Sequence, residues 1–93
     1  MIKIGITIEY FSGESESFIA SNPEFVKWER KTGLKVTQLG ENVGLDDLLF
    51  LGYNAKKREQ AGQAIKPFEA WCETVDEVKS EATESPKATP SEA

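Results

Sequence analysis

Apolar and polar positions alternate strictly at the start of the chain. Ile2, Ile4, Ile6, Ile8 and Tyr10 fall on one side, and Lys3, Gly5, Thr7 and Glu9 on the other. A period of two predicts a strand with one buried face, and β-branched Ile suits a pleated surface. Ser12-Gly13 supplies a turn, because Gly tolerates the positive φ that hairpins need. Ser15–Ala20 then returns as a second strand with Phe18 and Ala20 on one face. A two-stranded hairpin is marginal in water, so the Ile face requires a cover.

Further on, the spacing becomes helical. Asn22-Pro23 reads as a helix start, with Asn capping free amides and Pro giving up an N–H that had no partner. Phe25, Trp28 and Thr32 share one face of a helix over about 23–32, which Gly33 ends in the left-handed conformation, with Leu34 folding back near Trp28. Residues 34–44 read as an ordered connection whose Leu34, Val36, Leu39 and Val43 need cover. A second helix is expected from Leu45 to about Ala61, with Asp46 and Asp47 in its first turn, Lys56, Lys57 and Arg58 near its last, and Gly62 as the stop. Leu45, Leu48, Leu49, Gly52 and Ala55 form one apolar arc, and Phe50 and Leu51 lie outside it. A helix apolar on more than one side must be buried on more than one side. A third helix is expected from Pro67 to about Val78, with Phe68, Trp71, Cys72, Val75 and Val78 in a narrow stripe. Beyond it, the polar run from Lys79 offers too little apolar area to offset an ordering cost of about 1–2 kcal/mol per residue. The expected architecture is a small single α+β domain over 1–78, a hairpin packed with about three helices, followed by a disordered acidic and polar tail over 79–93.

Composition narrows the function. A chain this short buries only roughly 60% of its extended surface, so its core is marginal and Phe50 and Leu51 look hard to hide. The formal net charge is −5, the wrong sign for neutralising nucleic-acid phosphates. There is no His, which excludes His-based nucleophile activation and His-ligated zinc, and the single Cys cannot form an internal disulfide. No apolar run approaches the roughly 20 residues of a membrane span, and no charged-then-apolar leader is seen. The expectation is a small, soluble, acidic, intracellular protein that is not an enzyme and carries no cofactor or metal.

The remaining chemical candidates have plainer readings. Asp46-Asp47 and Glu73, Asp76 and Glu77 offer carboxylates, but adjacent helical residues do not face each other and acids at a helix start complement its dipole. Lys56-Lys57-Arg58 lacks interleaved aromatics and stands where a helix prefers cations. Cys72 sits on an apolar stripe, as a small buried hydrophobe does. Gly40 and Gly44 lack the Lys-Ser/Thr of a phosphate loop. Trp28 and Trp71 sit on stripes that fit an internal core first, with an interface anchor as the second reading. Phe50 and Leu51 favour a protein–protein surface, each worth about 1.5–3 kcal/mol when buried.

The order Trp28-Glu29-Arg30-Lys31-Thr32-Gly33, Leu45-Asp46-Asp47-Leu48-Leu49-Phe50-Leu51-Gly52-Tyr53, Lys57-Arg58 and Pro67-Phe68-Glu69-Ala70-Trp71 resembles the tail assembly chaperones of long-tailed bacteriophages over about 22–78. The resemblance implies a protein of the host cell cytoplasm that binds the tape measure protein, keeps it soluble while tail tube subunits polymerise, and is absent from the mature virion. It also implies a longer frameshifted form that recruits tail tube protein, with the tail from Ser80 as the hinge. It brings no catalytic residues. Phe50, Leu51 and Tyr53, with Trp28 and Trp71, are the expected partner-binding residues, and self-association is expected through the exposed hairpin edge. The competing expectations are a small acidic phage regulator or inhibitor of a host protein, and a minor structural tail or connector protein.

Overall fold

The computed structural model describes residues 3–39 and 43–84. Two strands come first, β1 (Lys3–Tyr10) and β2 (Ser15–Ala20), followed by α1 (Asn22–Thr32) and a 3-10 turn (Val36–Gln38). Then come α2 (Leu45–Glu59), α3 (Phe68–Cys72) and β3 (Val75–Glu84). The sheet is three-stranded in the order β2-β1-β3, with both pairings antiparallel. The α+β expectation holds.

The period-two pattern of β1 builds the floor of the core. Ile6 and Ile8 are fully buried, and Phe18 and Ala20 of β2 are buried beside them. Lys3, Gly5, Thr7 and Glu9 take the opposite face, where Thr7 and Ser17 hydroxyls meet at 3.1 Å. Gly13 turns the hairpin at φ 98°. Ile2 lies outside the described residues.

The cap position of α1 is Ser21, one residue earlier than Asn22, and the Glu24 carboxylate accepts the Ser21 backbone N–H at 2.9 Å. Gly33 ends the helix at φ 76°, donating its N–H to Glu29 O at 2.8 Å, the left-handed stop that its position predicts.

Helix α2 lies across the sheet and touches all three strands, α1 and α3. Gly52 sets how closely it can lie. A Cβ there would stand 3.1 Å from Ile6 Cγ2 and 3.6 Å from Ile8 Cδ1. Ile6 and Ile8 are fully buried, so neither can retreat. Gly52→Ala gains about 1 kcal/mol of helix propensity but meets an overpacking cost of about 1–3 kcal/mol. The expected result is a small net loss of stability for Gly52→Ala and a larger one for Gly52→Val, read as successive drops in the urea midpoint.

The C-terminal third departs from its helical spacing. Phe68, Trp71 and Cys72 do form a helical turn, but the helix ends at Cys72, and Val75–Glu84 is a strand. It pairs with β1 from Tyr10↔Val75 to Lys3↔Glu84, with irregularities between Glu9 and Tyr10 and between Lys3 and Ile4. The expected boundary at 78/79 therefore falls inside β3; the rest of the expected tail, 85–93, lies outside the described residues. Apolar spacing alone ranked helix above strand for Val75 and Val78. The deciding contribution was the second edge of β1, whose unpaired backbone groups reward any chain that pairs with them. That reward also orders Lys79 to Glu84, which side-chain burial alone would not.

Candidate functional site

With no histidine and one thiol, any site in this chain draws on carboxylates, amines, guanidinium groups, hydroxyls, amides and apolar or aromatic surface. Two polar clusters join the helices to the sheet. In the first, Glu24 is fully buried. Arg58 grips it with two parallel hydrogen bonds, Nε to Oε2 and Nη2 to Oε1, each at 2.8 Å. Burial by itself would raise the Glu24 pKa. The hydrogen bonds from Arg58 and from the Ser21 N–H, with the Arg58 charge, outweigh it and hold the carboxyl below its ordinary 4.5. Arg58 Nη2 also donates to Ile19 O at 3.0 Å, and Glu59 accepts the Ile19 N–H at 3.1 Å. Two α2 side chains thus close the outer edge of β2 at Ile19.

In the second cluster, Glu16 Oε1 accepts from the Tyr10 hydroxyl at 2.6 Å and from Lys56 Nζ at 2.9 Å, while Gln60 Nε2 reaches Oε2 at 3.2 Å. Burial opposes the charged carboxylate, but these hydrogen bonds prevail and the Glu16 pKa is lowered. Burial, then the Glu16 contact, pushes the Tyr10 phenol up from 10.0 to about 12. Trp71 Nε1 donates to the same hydroxyl at 3.1 Å. These groups border an open cleft of about 1030 Å³ between the hairpin turn and the segment before α3, lined also by Phe11, Ile65 and Lys66. Its phenol stays protonated and its carboxylate stays ionised near neutral pH, so neither is poised to exchange a proton there.

The Lys56-Lys57-Arg58 run is absorbed into these contacts. Lys56 and Arg58 pair with Glu16 and Glu24, and Lys57 lies 5.5 Å from the Tyr53 ring centroid. The Cys72 thiol is pushed up, first by burial and then by Glu69 and Asp46, away from the reactive thiolate. Among the described residues no group of three or more His, Cys, Asp or Glu is arranged to hold a metal, and no helix is long and apolar enough to cross a membrane.

Four of the five expected partner-binding residues are interior, which corrects that assignment. Trp28 and Leu51 have no exposed surface, Trp71 has 3% and Tyr53 has 8%. Trp28 Nε1 donates to Asp47 Oδ1 at 2.9 Å, locking α1 to the first turn of α2. The Tyr53 hydroxyl donates to Lys66 O at 2.5 Å, and its ring lies 5.2 Å from Phe68 and 5.3 Å from Trp71. The expectation that so short a chain lacks material to bury both sides of α2 fails for a physical reason. The third strand widens the floor, and α3 with its flanking loop covers Tyr53. Phe50 alone remains half-buried, with Lys31 Nζ 5.2 Å from its ring centroid.

The exposed apolar surface lies where the arc Leu45-Leu48-Leu49-Gly52-Ala55 slides out of the core. Gly52 and Ala55 are buried, Leu48 and Leu49 are half-buried, and Leu45 is 69% exposed beside exposed Val43. Carboxylates flank this end, and Asp46 pairs with Lys31 at 3.2 Å. The sequence carried the signal in the arc itself. Amphipathic spacing names the residues that share a face but does not tell where along the helix that face leaves the core. Among the described residues, Phe11, at the hairpin turn, is the other large apolar side chain that stands mostly in water, at 71%.

Comparison with known proteins finds no matching family, no matching curated protein and no matching solved structure.

Proposed function

We propose that this protein is a non-enzymatic tail assembly chaperone that holds the tape measure protein of a long-tailed bacteriophage in solution. The observation that carries the reading is the pairing of an apolar helix end, Val43, Leu45, Leu48 and Leu49, with a chain of net charge −5. A holdase has to offer apolar surface to its client and remain soluble itself. An exposed leucine face at helical spacing suits an amphipathic client helix laid against it. The resemblance to tail assembly chaperones supports the same role. The residues that carry it, Trp28, Leu51, Tyr53 and Trp71 among them, serve the core, so client contact passes to Leu45 and its neighbours, with Phe50 at the margin. Recruitment of tail tube protein belongs to the same proposal, through a longer product extending past the described residues.

Leu45→Glu separates folding from function. An acid in the first turn of α2 complements the dipole, and Leu45 is mostly exposed, so the urea midpoint should move by no more than about 0.5 kcal/mol equivalent. Co-expression with the phage's tape measure protein should yield soluble client with the wild-type chain and insoluble client with Leu45→Glu. Unchanged solubilisation by the variant moves the contact elsewhere. A wild-type chain that leaves the client insoluble overturns the function.

A further inference from the structure

The two edges of the sheet are not equivalent. At the β2 edge, Ile19 presents its N–H and C=O away from β1, and both are taken by Glu59 and Arg58. In an antiparallel ladder, successive residues point their backbone groups to opposite sides. Phe18 and Ala20 therefore bond β1 at Ile6 and Ile4, leaving Gly5, Thr7 and Glu9 to bond the other neighbour. Their partners in β3 are Glu81, Lys79 and Glu77. By the same alternation Val78 and Ser80 turn their backbone groups outward, and among the described residues nothing accepts from or donates to them.

We propose that the outer edge of β3 is a homodimer interface, in which a second copy of this chain pairs antiparallel about a two-fold axis through Ser80. Three observations select this register. The ladder to β1 is regular between Glu77 and Ala82 and irregular at both ends, so a partner strand has only this stretch to follow. Ser80 at the centre exchanges both backbone hydrogen bonds with its counterpart, as the outward orientation requires. The charges also match: Lys79 of one copy falls opposite Glu81 of the other, twice over. A two-fold through Lys79 would instead set lysine against lysine and Glu77 against Glu81. Lys79 has room for the second contact, since its bond to Glu9 is 3.4 Å long and leaves its side chain 58% exposed. Glu81 is exposed and has no partner among the described residues. Opposite charges across an antiparallel pair are favourable and like charges are not. The result is a continuous six-stranded sheet with helices on one face. The β2 edge cannot do the same, because α2 closes its end and its outer-face residues Ser15, Ser17 and Ile19 carry no charge to set a register.

Sedimentation equilibrium on the full chain, up to about 1 mM, tests this, since an edge contact of this size belongs in the micromolar-to-millimolar range. The wild type is expected to dimerise. Ser80→Pro deletes an N–H that points outward, which an edge strand tolerates, so it should keep the urea midpoint but weaken dimerisation at least about tenfold. Lys79→Glu and Glu81→Lys should each weaken it similarly, and the double swap K79E/E81K should restore it, because each exchanged charge meets the other across the two-fold. Should Ser80→Pro prove unfolded, the charge set decides. A strict monomer, a dimer indifferent to folded Ser80→Pro, or a double swap no better than the single variants overturns the proposal. The tape measure protein is absent from this assay, so its outcome leaves the Leu45→Glu test untouched.

Discussion

Leu51→Asp should abolish cooperative folding. Leu51 has no exposed surface and sits in the cluster with Ile6, Ile8, Trp28 and Trp71. Truncating such a leucine costs about 2–5 kcal/mol. Burying a carboxylate without a partner adds several more, or forces it to stay protonated. A domain of this size has about 5–15 kcal/mol in total, and a short chain sits at the low end. The expected observation is loss of the near-ultraviolet tryptophan signal and of the cooperative urea transition at 25 °C. A folded Leu51→Asp would show that this side chain can reach solvent. The contrast with Leu45→Glu, six positions earlier on the same helix, is the sharpest available division between residues that hold the fold and residues free to hold something else.

Arg58→Ala should cost about 3 kcal/mol. Removing one partner of a buried ion pair leaves the other charge without compensation, typically a loss of 3–5 kcal/mol. The low end applies because the Arg58 side chain is itself 42% exposed, whereas Glu24 is 0% exposed. Replacing both residues, as in Glu24→Leu/Arg58→Ala, should recover part of the loss, since no charge is then stranded. The pair also sets the response to acid. The folded-state pKa values of Glu24 and Glu16 are lowered from the ordinary 4.5, so their contribution is fully present above that value. It is lost as pH falls through the lowered values, because the unfolded chain takes up protons first. Urea midpoints at pH 7, 5 and 3 should decline mainly in the last step, and Glu24→Gln should shrink that decline. Tyr10 acts at the opposite end. Its folded-state pKa is raised to about 12 from 10.0, so its contribution persists below 10.0 and disappears as pH climbs through the raised value.

The candidate site was legible in kind but not in place. The apolar arc of α2 and its surplus residues Phe50 and Leu51 announced a helix with more than one role. The assignment of exposure was inverted, however: Leu51 and Tyr53 are interior, and Leu45, counted as part of the buried arc, faces water. Helical periodicity reports angle around the axis and carries no information on how far along the axis the neighbours extend. Here the sheet covers the later turns of α2, where Leu51, Gly52 and Ala55 are buried, while α1 holds only the Asp46–Asp47 side of the first turn and leaves Leu45 uncovered. Glu24 and Arg58, which join α1 to α2 from 34 positions apart, had no local signature beyond an ordinary first-turn acid and last-turn base.

What the sequence determined by itself was local. The strict alternation of Ile4, Ile6 and Ile8 dictated a one-faced strand, Gly13 a hairpin turn and Gly33 the end of α1, because dihedral preference and side-chain period act over a few residues. Tertiary structure alone decided the fate of Val75–Glu84. Val75 and Val78 are spaced for a helix and the run from Lys79 reads as tail, yet together they become the third strand, because the ladder of hydrogen bonds that β1 offers outweighs a weak local preference. The same long-range pairing widened the floor beneath α2, and packing between elements distant in sequence buried both tryptophans and left Leu45 outside.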